Sequence, residues 1–91
     1  MRFEWDEAKR RSNLRRHGFD FLVAEKVFKS QVVTILDNRF DYDEIRFVTL
    51  GLLNGVVLAI AHLETDEVAR ILSVRKASRN EEEIYFKEIT D

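Results

Sequence analysis

The sequence predicts an α+β fold, a mostly antiparallel β-sheet carrying two N-terminal helices and one C-terminal helix. Three observations predict it. Asn54-Gly55 stands between two apolar, β-rich runs, "IRFVTLGLL" and "VVLAIAHL", and is the preferred pair for a type I′ hairpin turn. Asp6 and Gly18 bracket a basic stretch as a helix N-cap and a left-handed C-terminal cap. Ser78 and Glu81, in "SRNE", have the spacing of a capping box.

Taken in chain order, "RFEW" alternates and suits a short strand. The helix that follows, "EAKRRSNLRRH", has only Ala8 and Leu14 as plainly apolar residues, so little of it can be buried. Its bases gather toward the C-terminal end, where the helix dipole favours them. A second helix begins after Asp20, with Phe21, Ala24, Val27 and Phe28 on one face. "VVTIL" is a β-branched run and reads as a strand. Pairing across Asn54-Gly55 sets Phe47 opposite His62 and Arg46 opposite Leu63. After a turn at "ETDE", "VARILSVRK" is apolar on both faces and reads as an interior strand. In the last helix Ile84, Tyr85 and Ile89 supply the apolar face.

The chain has 91 residues, enough for one domain with one modest core, so residues 1–91 are read as a single unit. An apolar content of 45%, with seven phenylalanines, argues for a folded globule rather than a disordered tail. Without cysteine there is no disulfide and no thiolate metal site, so nothing demands an oxidising compartment. No signal-peptide run and no stretch of membrane-spanning length is present, and a cytoplasmic location is expected.

The formal net charge is −2, but the charges are segregated. Lys9, Arg10, Arg11, Arg15 and Arg16 occur without an acid between them, as do Arg70, Arg75, Lys76 and Arg79. The acids collect at residues 37–44, 64–67 and 81–83. By strand alternation, Arg75 shares a face with Ile71 and Ser73, and Arg70 shares the other with Leu72 and Val74. Arginines on apolar strand faces require partners. Each could pair with Glu44, Glu81 or another acid, or stand as a fork of donors for a phosphate. Glu81 and Tyr85, four apart, lie on one helix face; Glu81 has a capping role and Tyr85 could simply pack. His17 ends the basic helix beside Arg16 and is an acid–base candidate, or a surface residue suited to the dipole. His62, on an inner strand, reads as a packed, hydrogen-bonded histidine. No zinc spacing, Gly-rich phosphate loop or nucleophile elbow appears, so neither a metal nor any other cofactor is expected.

The blocks "FEWDEAKRRSNLRRHGFDF", "DEIRFVTLG" and "RILSVRKASRNEEEIY" resemble, in order and spacing, the three signature blocks of the BrnT family of type II toxins. The resemblance covers nearly the whole chain, departing at Phe19 and Val74, where a small aliphatic and alanine are commoner. It implies a RelE-like fold and a ribonuclease activity that restrains translation. It also implies neutralisation by a BrnA-type antitoxin with a ribbon-helix-helix domain, in a heterotetramer built through the antitoxin dimer. Operator DNA would be contacted by the antitoxin alone. RNA would be the substrate. Cleavage without metal has the ribose 2′-hydroxyl attack the adjacent phosphate, which requires a base, an acid and cationic stabilisation. On this reading Arg75 heads the candidates for holding the phosphate, with Arg70, Arg79 and, from the hairpin, Arg46. His17, Glu81 or Tyr85 could transfer protons. Lys9, Arg16, Lys76 and Arg79 are the candidate RNA contacts. A non-catalytic RNA- or ribosome-binding module, or a structural partner protein docking through the first helix, would use the same surfaces.

Overall fold

The computed structural model describes residues 1–38 and 43–90, so part of the acidic stretch 37–44 lies outside the described residues. Among the described residues five strands form one sheet: β1 (Arg2–Glu4), β2 (Val32–Asp37), β3 (Arg46–Leu53), β4 (Val56–Glu64) and β5 (Val68–Lys76), in the spatial order β1-β5-β4-β3-β2. Only β1 pairs in parallel, with β5; the other neighbours are antiparallel. The helices are α1 (Glu7–His17), α2 (Ala24–Phe28) and α3 (Arg79–Thr90). Among the described residues no helix is long and apolar enough to cross a membrane.

The local signals act as their chemistry requires. Asp6 accepts from the Lys9 N–H at 3.0 Å, and Gly18, at φ 80°, donates its N–H to Leu14. Asn54 and Gly55 both have positive φ, 51° and 81°, as the type I′ turn demands. The β3–β4 ladder opens on the Phe47–His62 pair, and Arg46 pairs in register with Asp37 on the other side. Ser78 Oγ accepts from the Glu81 N–H at 3.2 Å while Glu81 Oε1 accepts from the Ser78 N–H at 2.8 Å.

Expectation and structure part company in two places. The second N-terminal helix is short: a 3-10 turn at Phe21–Val23, capped by Asp20, runs into the five residues of α2. Its apolar face is nevertheless the predicted one, for Phe21, Ala24 and Val27 are fully buried against Leu58, Ile60 and Ile71. The opposite face of the sheet buries Val48, Leu50 and Ala59 beneath Tyr85 of α3.

The second difference decides where the arginines point. Ala61 pairs with Ser73 but His62 pairs with Ile71, which leaves Leu72 as the extra residue of a β-bulge. Beyond it the alternation of β5 reverses. Val74 therefore joins Ala69 and Ile71 in the α2-side core. Arg70, Ser73 and Arg75, paired with Leu63, Ala61 and Ala59 of the regularly alternating β4, lie together on the α3 side. The expected division of Arg70 and Arg75 between two faces is overturned by one inserted residue.

Candidate active site

Arg75 is held by Glu81. Its Nη1 and Nη2 donate to the two carboxylate oxygens at 2.7 and 3.0 Å, a planar fork on a planar acceptor. Burial alone would push the Glu81 carboxyl up. The hydrogen bonds from Arg75 and from Ser78, with the Arg75 charge, outweigh it and hold the group below the usual carboxylate range. Glu81 is thus ionised at neutral pH but engaged on both oxygens, a weak base with little freedom to leave its partner.

The other arginines of the expected cluster do not converge on Arg75. Arg70 lies four β4 positions away, roughly 13 Å along the strands, with Glu4 at 3.6 Å. Arg46 bonds Glu44 at 3.0 Å and opens β3 at the Arg70 end of the sheet. Arg79 is almost wholly exposed, 3.9 Å from Glu83. Lys76 is exposed at the end of β5. Tyr85 is buried and its hydroxyl donates to the Gln31 carbonyl at 2.8 Å, which ties α3 to the entry of β2. It faces the core rather than a groove.

His62 is the packed histidine the sequence suggests. It is fully buried, 2.7 Å from Thr49 Oγ1 through Nε2, with Phe28 edge-on and Phe47 stacked against its ring. Among the described residues its Nδ1 has no hydrogen-bond partner, and it lies 3.7 Å from Glu64. Burial pulls its pKa below the ordinary histidine value, the nearby Glu64 opposing this only in part.

The structure does assemble one group of candidates. Lys9, Ser12, Asn13, Arg16 and His17 form a stripe along α1, and they face Leu72 and Ser73 of the bulge across a shallow cleft of about 170 Å³. Arg10, by contrast, is bound to Glu7 at 2.8 Å and Asp20 at 2.9 Å, and Arg11 lies 3.8 Å from Glu7. The side chains of Lys9, Arg16 and His17 have no ion pair or hydrogen bond among the described residues. Two cations and an imidazole without internal partners, on one helix facing one strand, have the chemistry to bind a phosphodiester and move a proton. A larger cleft of about 400 Å³ lies between β1 and the 3-10 turn, where Met1, Phe3, Trp5 and Leu22 stand beside Arg2 and Glu25, and it holds none of the expected site residues. Among the described residues no three His, Asp or Glu side chains gather as a metal site would need.

Sequence reading names Lys9 and Arg16 within one basic patch, with His17 beside Arg16, as candidates; it does not name Ser12, Asn13 and Ser73, which line the same cleft. The available signal was the stripe itself. Positions 9, 12, 13 and 16 share one helical face, on which Asn13 is buried and Lys9, Ser12 and Arg16 stay exposed along the cleft, while Ala8 and Leu14 do not line it.

A family profile described as the ribonuclease toxin, BrnT, of type II toxin-antitoxin systems matches residues 5–81. The match takes in α1, the whole sheet beyond β1, and the capping box. No curated protein matches the chain.

Proposed function

The chain belongs to the BrnT family of ribonuclease toxins of type II toxin-antitoxin systems, and from that premise we propose that it is a metal-independent endoribonuclease working at the α1 cleft. The observation that supports this most is the set of side chains without partners among the described residues, Lys9, Arg16 and His17, facing Leu72 and Ser73. Lys9 and Arg16 hold the non-bridging oxygens of the scissile phosphate and offset the charge that builds there. His17 takes the 2′-hydroxyl proton as the new P–O bond forms, or returns a proton to the 5′-oxygen as the old bond breaks. Arg75, its charge balanced by Glu81 on the same sheet face as Ser73, fixes the end of β5 beside the cleft. Arg70, Arg46, Lys76 and Arg79 lie further out and hold flanking phosphates of the RNA.

A type II toxin has an antitoxin partner. We take it to be a BrnA-like ribbon-helix-helix protein whose dimer builds a heterotetramer and alone touches operator DNA. The fold is then RelE-like, residues 1–91 are one toxin domain, and the place of action is the cytoplasm, where loss of RNA inhibits translation. Induction of this chain without its antitoxin tests the proposal. Growth arrest with fragmentation of bulk RNA is expected; arrest with intact RNA would favour a non-catalytic RNA- or ribosome-binding module.

A further inference from the structure

We propose that Asn13 is a positioning residue for the α1 cleft: its side-chain amide closes the open edge of β5 in place of a strand and so sets Lys9, Arg16 and His17 against the bulge. The inference rests on the cleft being the ribonuclease site. β1 covers β5 only from the Arg2–Val68 pair to the Glu4–Arg70 pair, after which the chain turns into α1. Past the bulge the backbone of Val74 needs partners that β1 does not supply. Asn13 provides both. Its Oδ1 accepts from the Val74 N–H at 3.2 Å and its Nδ2 donates to the Val74 carbonyl at 2.8 Å. That is the two-bond exchange a facing strand residue would make.

The second amide hydrogen goes to the Phe19 carbonyl at 3.0 Å, beyond the Gly18 cap. Both amide hydrogens and one lone pair of the oxygen are therefore used, three of the four hydrogen-bonding positions of the group, and the residue is only 7% exposed. Asparagine is a poor choice for a helix interior on propensity alone. Here its value is in docking. Lys9 lies four residues before it, Arg16 and His17 three and four after, and Val74 stands between Ser73 and Arg75. One amide thus sets the distance between the helix's cations and the strand they face.

The test is a double-mutant cycle on RNA cleavage by the purified toxin freed of antitoxin, with the melting temperature recorded for every variant. Asn13→Ala is expected to cleave about a hundredfold more slowly, the scale of a misplacement near 1 Å. The double variant Asn13→Ala/His17→Ala should be hardly slower than His17→Ala alone, because residues that act as a unit lose activity non-additively. Arg10→Ala loosens the same helix by removing its ties to Glu7 and Asp20, and it should cleave near the wild-type rate. Losses that multiply in the double variant, or an Arg10→Ala as slow as Asn13→Ala, overturn the inference. Should Asn13→Ala fail to fold, Asn13→Ser passes through the same cycle under the same criterion. A wild-type protein that cleaves no RNA at all overturns the ribonuclease reading itself, and this inference with it.

Discussion

Arg75 and Glu81 meet in a two-point ion pair, 2.7 and 3.0 Å, across the turn that joins β5 to α3. The same carboxylate caps the helix through the Ser78 N–H, so one acid holds both the helix start and the strand end. The pair lies mostly out of solvent, with side-chain exposures of 23% and 14%.

Removing either member should therefore be felt first as stability. Arg75→Ala and Glu81→Gln are each expected to cost ~1–3 kcal/mol, between the values for exposed and buried pairs. Combined, they should cost little more than one alone. Urea unfolding of the two single variants and the double measures this. Cleavage per folded Arg75→Ala molecule should fall less than about tenfold. A hundredfold loss at native stability would make Arg75 the principal phosphate contact.

His62 predicts the direction of a pH effect. The folded protein holds it neutral, with its pKa below the ordinary 6.5, so below that pH the unfolded chain takes up a proton that the folded chain resists. Stability is full above 6.5 and declines as the pH falls from there toward the folded value. Urea midpoints at a series of pH values should show the decline, and His62→Gln should remove it. A slope unchanged in that variant would assign the effect elsewhere.

Gly51 marks where β3 passes beneath α2. A methyl group there would stand 2.7 Å from Val27 Cγ1 and 3.0 Å from Val32 Cγ1, both branched and held by the core. Gly51→Ala is expected to destabilise by ~1–3 kcal/mol through overpacking. Thermal unfolding checks it, with a native-like Tm as the contrary outcome.

The features legible in the sequence were those set by neighbours along the chain. Asp6, Gly18, Asn54-Gly55 and the Ser78–Glu81 box each satisfy or shape the backbone within a few residues, and each sits where it was placed. The bulge at Leu72 was not legible, because a strand apolar on both faces carries no alternation to break. The position of Arg75 followed from that bulge and was misread with it. Asn13 escaped notice because its partner, Val74, is 61 residues away and contributes only backbone. The shortness of α2 was hidden as well, since a 3-10 turn and an α-turn bury the same Phe21, Ala24 and Val27.

The assembly with the antitoxin is also testable. Co-expressed with it, the toxin should sediment as a heterotetramer that is two-fold symmetric through the antitoxin dimer. Free monomers at micromolar concentration would contradict this.

Cleavage of a defined RNA in EDTA tests the α1 cleft most directly. Wild type is compared with His17→Ala and with Lys9→Ala/Arg16→Ala, each checked for an unchanged Tm. Wild type should cleave in EDTA, and His17→Ala should be at least about a hundredfold slower, as loss of an acid–base group requires. Lys9→Ala/Arg16→Ala should bind RNA more weakly, with a shallower dependence on salt. Wild-type rates in both variants would place the chemistry outside the cleft.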